Sequence, residues 1–238
     1  MSLIVSLAII ILAALIHSSF QLSVSVLTLL SGHSIGFEHS HKKLLGLTTS
    51  FVFGACLITL LLVSTLAFIA SSIFVDGITQ IVWAGSCGLL IGVATSVWMF
   101  YYRREKGTAL WVPRGVAKYL TDRTKTAKVK AEAFSLGISS ILGEILFIIA
   151  PLIIGGLTIA QLPLVWQLVG AIIYAIVSMS SLIVIWALIG GGHTLGRIQK
   201  WREDNKYFLQ FISGAGLIIL SVFVYVNTVV SSVSGGLL

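Results

Sequence analysis

Apolar residues fall into six long runs along the chain, separated by short polar stretches. The runs cover residues 3–30, 45–74, 79–102, 134–157, 164–190 and 208–230. Each is long enough for the roughly 20 residues that a helix needs to cross the hydrocarbon core of a bilayer. The first run also continues past Leu30 without a positively charged start, so we interpret it as a span rather than a signal peptide. The pattern predicts an all-α integral membrane protein with six transmembrane helices.

Basic residues predict how these spans are oriented. All 15 Lys and Arg residues lie in the connections after the first, third and fifth spans, at 42–43, 103–130 and 197–206. The other two connections and both ends of the chain contain none. Because cytoplasmic loops are enriched in Lys and Arg, the distribution predicts a multi-pass protein of the plasma (inner) membrane, with its basic loops cytoplasmic and both termini outside.

The long basic loop divides the chain into two groups of three spans. We therefore expect a first three-helix repeat at 1–102, a basic cytoplasmic loop at 103–131 and a second three-helix repeat at 132–238. Since three is odd, two related groups must lie inverted relative to each other, as in many transporters. A Ser-Ser pair followed by a polar residue recurs in the first and fourth spans. Small residues also recur in unrelated helix bundles, which is the alternative interpretation.

Composition supports the membrane interpretation and excludes other classes. The chain of 238 residues is 57% hydrophobic and 10% charged, with mean hydropathy +1.05, whereas soluble domains contain about 25% charged residues. The net charge of +7 does not indicate a nucleic-acid surface, because the basic residues lie between apolar spans. For the 103–131 loop we expect an amphipathic helix on anionic lipid headgroups. Cys56 and Cys87 form no CxxC motif and are interpreted as packing residues.

Glu144 lies near the middle of the fourth span. A charged Glu there costs on the order of a few kcal/mol, so such residues usually face a protein interior or a wet cavity. It could couple proton movement to transport or bind a cation; the alternative is a protonated Glu that joins helices through a neighbouring Ser. Ser140 shares its helix face, and Pro151 removes a helical hydrogen bond nearby, which predicts a broken helix.

His17 and Gln21 are four residues apart in the first span, so they share a helix face, and Ser18 flanks that face. In an inverted repeat this segment is the counterpart of the Glu144 region, and the two are expected to meet at the centre. His17 is then a proton or ligand partner for Glu144. The alternative is a hydrogen-bonded pair between helices that has no role in transport.

A loop after the first span contains four residues of metal-ligating type: His33, Glu38, His39 and His41. His and carboxylate groups this close can bind a transition metal such as Zn or Ni. Their irregular spacing and the lack of a Cys equally fit a solvated interfacial loop. No nucleotide-binding or hydrolase motif occurs in the chain, so we expect no enzyme activity and no cofactor.

The topology resembles the LysE/CcdA-like transporter superfamily, which includes amino-acid exporters and thiol transporters. The likeness is in the two sets of three spans, the basic loop, the segment LTLLSGHSIGFEHSHKKLLGLTTSFVFGA and the restart AFSLGISSILGE. It implies a two-repeat bundle that exports a small solute or ion through a site between the repeats. Cys56 and Cys87 are not beside Pro, which argues against thiol transport, and the resemblance assigns no substrate.

These observations favour a secondary transporter, a proton-coupled exporter of a small solute or ion. The expected pathway residues are Glu144, His17, Gln21, Ser18, Ser140 and Pro151. The expected partners are the lipid bilayer, anionic headgroups and the solute, with no nucleic acid, and a homo-oligomer is left open. The rivals are a non-transporting membrane subunit or accessory scaffold, and an intramembrane enzyme that uses Glu144 and His17 as acid and base.

Overall fold

Nine α-helices make up the described part of the chain. The computed structural model describes residues 1–21, 41–100, 129–192 and 195–231. The helices are α1 (Leu3–Gln21), α2 (His41–Ile73), α3 (Gln80–Phe100), α4 (Lys130–Gly143), α5 (Ile145–Ala160), α6 (Leu164–Ser178), α7 (Ser180–Gly190), α8 (Leu195–Asp204) and α9 (Lys206–Tyr225). A π-helical turn at Val226–Val230 extends α9, and the described residues contain no strand.

Four helices, namely α1, α2, α3 and α9 with its extension, are each long and apolar enough to cross a membrane. Two further pairs pass the same test only when joined: α4 with α5, and α6 with α7. The first pair is bent by 82° and the second by 48°. The all-helical prediction is therefore confirmed for the described residues, which contain four candidate membrane-spanning helices, or up to six if each bent pair is one span.

The break in the fourth predicted span lies at a different residue from the proline. We expected Pro151 to interrupt the helical hydrogen bonds near Phe147, and Pro151 lies inside α5, which continues to Ala160. The break is at Glu144, whose backbone angles of φ −97° and ψ 0° depart from helical values. A proline lacks one backbone N–H, but neighbouring helices can stabilise the helix around it. At Glu144, by contrast, the chain changes direction. The break at Met179, between α6 and α7, was not predicted at all.

Helix packing puts α5 at the centre. On one side it packs against α1, and on the other against α2, which also packs along α4. Around this group, α3 pairs with α9, which also contacts α1, and α6 contacts both α1 and α2. Many large apolar side chains point outward, among them Phe68 and Ile81. Such an apolar exterior is what a lipid-facing surface requires, because no water contacts it.

The α2 and α4 helices cross with their backbones in contact. At the crossing, a Cβ added to Gly137 would overlap the carbonyl oxygen of Phe51, and one added to Gly54 would overlap that of Phe134. Glycine allows this approach because it has no side chain. The crossing holds α4 against α2 seven residues before the break at Glu144.

Candidate functional site

A buried polar cluster occupies the last turn of α1. His17, Ser18 and Gln21 are 0%, 2% and 1% exposed, so the helix face predicted from their spacing is turned into the protein. Their partners come from α6 and α7, on either side of the break at Met179. The cluster therefore joins the first predicted span to the fifth, an arrangement that the sequence did not indicate.

His17 is held by a chain of hydrogen bonds. Its Nδ1 lies 3.2 Å from the Tyr174 hydroxyl, and its Nε2 lies 3.5 Å from Nε2 of Gln21. The Gln21 amide also reaches the sulfur of Met179 at 3.9 Å. When the amide donates to Nε2, the imidazole hydrogen must be on Nδ1, which then donates to the Tyr174 oxygen. Both ring nitrogens of His17 are therefore engaged within this network.

A close approach of α6 to α5 puts Tyr174 beside His17. The tyrosine ring lies directly over Gly155, where an added Cβ would be 2.6 Å from Cε2 of the ring. Tyr174 is fully buried. A larger residue at 155 would displace the ring and with it the hydroxyl that contacts the imidazole.

Ser18 attaches the broken fifth span to α1. Its Oγ accepts a hydrogen bond from the backbone N–H of Ser181 at 2.9 Å and lies 2.8 Å from Oγ of Ser180. The Ser181 hydroxyl donates to the Ser18 carbonyl at 2.8 Å. The first N–H groups of a helix have no partner within it. Ser18 thus caps α7 from a different helix.

We expect Ser18→Ala to lower the free energy of unfolding by about 1–2 kcal/mol, the usual cost of a lost N-terminal cap. The reason is that the Ser181 N–H would remain partly buried without its acceptor. Thermal unfolding of the detergent-solubilised protein measures the change. Ser96→Ala is the matched control, because Ser96 is exposed and bonds only to its own helix at Gly92. Equal stability of the two variants would contradict the capping role.

Glu144 lies at the break between α4 and α5. Its side chain is only 6% exposed, and neither carboxylate oxygen has a hydrogen-bond partner among the described residues. Ser140, which was expected to share its face, is also buried but donates to the Gly137 carbonyl of its own helix at 2.8 Å. The alternative in which a Ser hydroxyl satisfies Glu144 is therefore not observed. Glu144 occupies the residue before the first turn of α5, but its side chain accepts no capping hydrogen bond there.

An aromatic contact brings the Glu144 region against α1. The rings of Phe20 and Phe147 stack with centroids 6.1 Å apart. Phe147 is one helical turn after Glu144, and Phe20 is next to Gln21 in the chain. The segments that contain the two predicted polar regions therefore pack against each other, while the inverted repeat itself stays a prediction. Within the described part of the chain, however, no hydrogen bond joins Glu144 to His17.

Thr59 is a buried polar residue that sequence reasoning missed. It is completely buried in α2, and its hydroxyl has no hydrogen-bond partner among the residues described. Other buried threonines, such as Thr48 and Thr158, donate to the carbonyl four residues earlier. Threonine normally satisfies itself in this way inside membrane helices, so nothing in the sequence distinguishes Thr59 from them.

The predicted metal loop cannot be compared with the structure. His33, Glu38 and His39 lie outside the described residues, as does the side chain of His41. Most of the basic loop, at 101–128, also lies outside them. Within the described ranges, no group of three or more His, Cys, Asp or Glu side chains is suited to a metal ion.

Two cavities lie at the opposite end of the bundle from the polar cluster. They measure about 540 and 550 Å³ and share Met1, Gly77, Ile78 and Gln161 in their lining. Ser6 lines the first cavity and is eleven residues before His17, or about 16 Å along the helix. Fully buried apolar residues such as Ile10 and Ala13 fill that interval. The cavities are therefore closed off from the buried polar groups.

The site thus combines two helix breaks, a satisfied hydrogen-bond network around His17 and Ser18, and an unsatisfied carboxylate at Glu144. Such a carboxylate can accept a proton or a cation, and the neighbouring breaks allow the helices to bend. Comparison of the chain with protein-family models, with curated proteins and with solved structures found no match. The functional conclusion therefore depends on this geometry.

Proposed function

We propose that this protein is a secondary transporter, a proton-coupled exporter of a small solute or ion in the plasma membrane. In this proposal it has six spans in two inverted three-helix repeats, with both termini outside. The bent pairs α4–α5 and α6–α7 are then each one broken span. The resemblance to the LysE/CcdA-like superfamily belongs to the same proposal, and it leaves the substrate open.

The supporting observation is a buried carboxylate that lacks a hydrogen-bond partner in the described residues, located where a helix is broken. Buried polar groups that serve only structure are nearly always hydrogen-bonded, because an unpaired one costs about 1–3 kcal/mol and a charged one more. Glu144 departs from that rule. Transporters commonly bind substrate or coupling ions at broken helices near mid-membrane. Binding and release of a proton by Glu144 then couples to movement of the solute.

The residues around Glu144 have supporting roles in this proposal. His17 and Gln21 line the pathway on α1, and Ser140 lines it on α4. Ser18 holds α7 against α1 and so couples the second helix break to the first. Pro151 removes a backbone hydrogen bond from α5 one or two turns beyond the break. The helix must bend there as the pathway opens.

Alternating access requires an opening that this conformation lacks. The apolar packing between the two cavities and His17 is the closed barrier on that side of the membrane. Movement of α5 and α6 relative to α1 would open it, because each of the three helices has one end at the cavities, and the other ends of α5 and α6 lie at the breaks. The structure then corresponds to one closed state in a transport cycle.

A non-transporting subunit or scaffold is the second candidate. The networks of His17 and Ser18 favour it, because both ring nitrogens of His17 and the Ser18 hydroxyl are hydrogen-bonded and these bonds specify how α1, α6 and α7 align. Polar networks of this kind can serve only to define helix register. The subunit interpretation does not explain why the Glu144 carboxylate is buried without a hydrogen-bond partner among the described residues.

The test is proton movement in proteoliposomes that contain a pH-sensitive dye. A panel of probes is added outside: neutral, acidic and basic amino acids, then NaCl, KCl and CaCl₂. A transporter is expected to give a saturable change of internal pH with at least one probe and none in vesicles without protein. Absence of any such change, together with co-purification of a fixed membrane partner, would favour the subunit.

A further inference from the structure

Four buried side-chain oxygens lack a hydrogen-bond partner within the described ranges. They are Oε1 of Gln21, Oγ1 of Thr59, and both carboxylate oxygens of Glu144. The three side chains are 1%, 0% and 6% exposed. Unpaired buried oxygens are rare in folded proteins, and each needs an explanation. Oxygens from these three side chains, on α1, on α2 and at the break between α4 and α5, are able to share one ligand.

Helix contacts locate Thr59 relative to the broken span. Gly137 of α4 touches α2 at Ala55, and Gly156 of α5 touches it at Leu66. Thr59 is one turn after Ala55 and lies on the same buried face of α2, between these two contact points. These contacts place residue 59 of α2 next to the stretch of the α4–α5 pair that lies between the two glycines.

Glu144 is in that stretch, seven residues after Gly137 and at the bend itself. On the other side, α1 meets the same span through the stacked rings of Phe20 and Phe147, and Gln21 follows Phe20 in the chain. The three side chains therefore lie on segments that pack around the break, because α5 contacts both α1 and α2 and α2 also contacts α4. The Gln21 amide nitrogen is within reach of His17 and Met179, whereas its oxygen has no hydrogen-bond partner among the described residues.

We propose that Glu144, Gln21 and Thr59 form a binding site for a monovalent cation, which the protein exchanges for a proton. This inference rests on the proposed transport function and names its substrate class. Carboxylate, amide and hydroxyl oxygens are ligands of hard metal cations, and they also accept hydrogen bonds from an ammonium group. An anion is disfavoured, because the Glu144 carboxylate would repel it and the Thr59 hydroxyl is the single donor among these oxygens.

Charge balance selects a monovalent ion. Glu144 is the one acidic side chain among the buried residues described, so a cation of charge +1 neutralises it in the low-dielectric interior. A divalent ion would leave an uncompensated charge, which is costly there. When the cation leaves, a proton takes its place on the carboxylate, so one cation moves against one proton and no net charge crosses the membrane.

Thermal unfolding in detergent tests the site directly. NaCl, KCl, methylammonium chloride and choline chloride are compared at equal ionic strength and at a pH above 8. We expect at least one of the first three to raise the unfolding midpoint with saturation, while choline, which has no N–H and is larger, does not. The metal salts and methylammonium distinguish an inorganic ion from an alkylammonium group. Equal midpoints in all four salts would overturn the proposal.

Thr59→Val shows whether the hydroxyl is a ligand. In choline chloride the variant should be at least as stable as the wild type, because valine removes an unpaired buried hydroxyl of nearly the same volume. The concentration of the effective cation at half-saturation should rise about tenfold, as expected for one lost ligand to a charged species. Thr48→Val is the matched control, since it makes the same change in α2 at a hydroxyl already bonded to Leu44. Wild-type affinity in Thr59→Val would overturn the proposal.

Failure of this inference can be separated from failure of the transport function. Proton flux that depends on Glu144 and responds only to uncharged or zwitterionic solutes, without a cation effect on unfolding, overturns the cation site and leaves transport standing. Cation-specific stabilisation that Thr59→Val weakens, without flux for any probe, supports the site and overturns transport.

Discussion

Glu144→Gln is expected to abolish proton-coupled flux while the protein remains folded. Glutamine has nearly the same shape as glutamate but cannot exchange a proton, so the coupling step is lost entirely. No hydrogen bond is broken among the described residues, because the carboxylate makes none there. Burying an amide also costs less than burying a carboxylate. Unfolding midpoints should therefore equal or exceed the wild-type value, while the initial rate of dye response falls at least about 100-fold, as for a lost catalytic proton donor or acceptor.

Glu132→Gln is the control for that variant. Glu132 is in the first turn of the same helix, is exposed, and accepts a hydrogen bond from the backbone of Val129 at 3.3 Å. Glutamine preserves such a cap, so flux should stay at the wild-type level. Flux in Glu144→Gln that matches this control would remove Glu144 from the mechanism and favour the subunit interpretation.

Gly137→Ala is expected to destabilise the fold strongly. Among alanine substitutions at the described helix glycines, we expect only Gly54→Ala to have an effect as large. The new Cβ would overlap the Phe51 carbonyl oxygen and lie 3.0 Å from the Ala55 nitrogen, both of which are backbone atoms. Backbone cannot move aside as a flexible side chain can, so α4 must shift away from α2. Overpacking of this kind costs about 1–3 kcal/mol, and backbone overlap belongs at the upper end of that range. Thermal unfolding and the monodisperse fraction on gel filtration measure the loss.

Gly88→Ala should have the opposite effect. Gly88 lies in α3 with nothing within 4 Å of an added Cβ, so alanine there only improves helix propensity, by about 0.5–1 kcal/mol. The effect of Gly→Ala on stability thus differs in sign between these two helical glycines, because another backbone lies against one of them and not against the other. Similar effects at the two positions would show that the α2–α4 crossing does not hold the structure together.

The break in the fourth span illustrates why local sequence was an incomplete guide. Proline is the strongest helix breaker in water, yet Pro151 remains within α5 because buried neighbours stabilise the helix around it. The bend occurs at Glu144, following the Gly137 crossing that directs α4 along α2. A direction imposed by contact between distant helices leaves no signature in the residues at the bend.

The residues with unpaired oxygens also show that local sequence was an incomplete guide to the site. Glu144, His17 and Gln21 were recognisable in sequence because a charge or a polar pair is conspicuous in an apolar span. Thr59 was not, because threonine is common in membrane helices and usually bonds to its own backbone. Its hydroxyl became a candidate ligand only when the packing of α2 against the broken span was known.

The sequence by itself determined the class of this protein. Long apolar runs require a membrane and, within it, helices, because only helices or closed barrels satisfy the backbone in lipid. The spacing of His17 and Gln21 likewise determined that they share a face. The tertiary structure alone decided where the two spans break, that Ser18 caps α7, and which buried oxygens remain without partners. Those outcomes depend on close contacts between helices far apart in the chain, and such contacts are set by shape rather than by hydrophobic pattern.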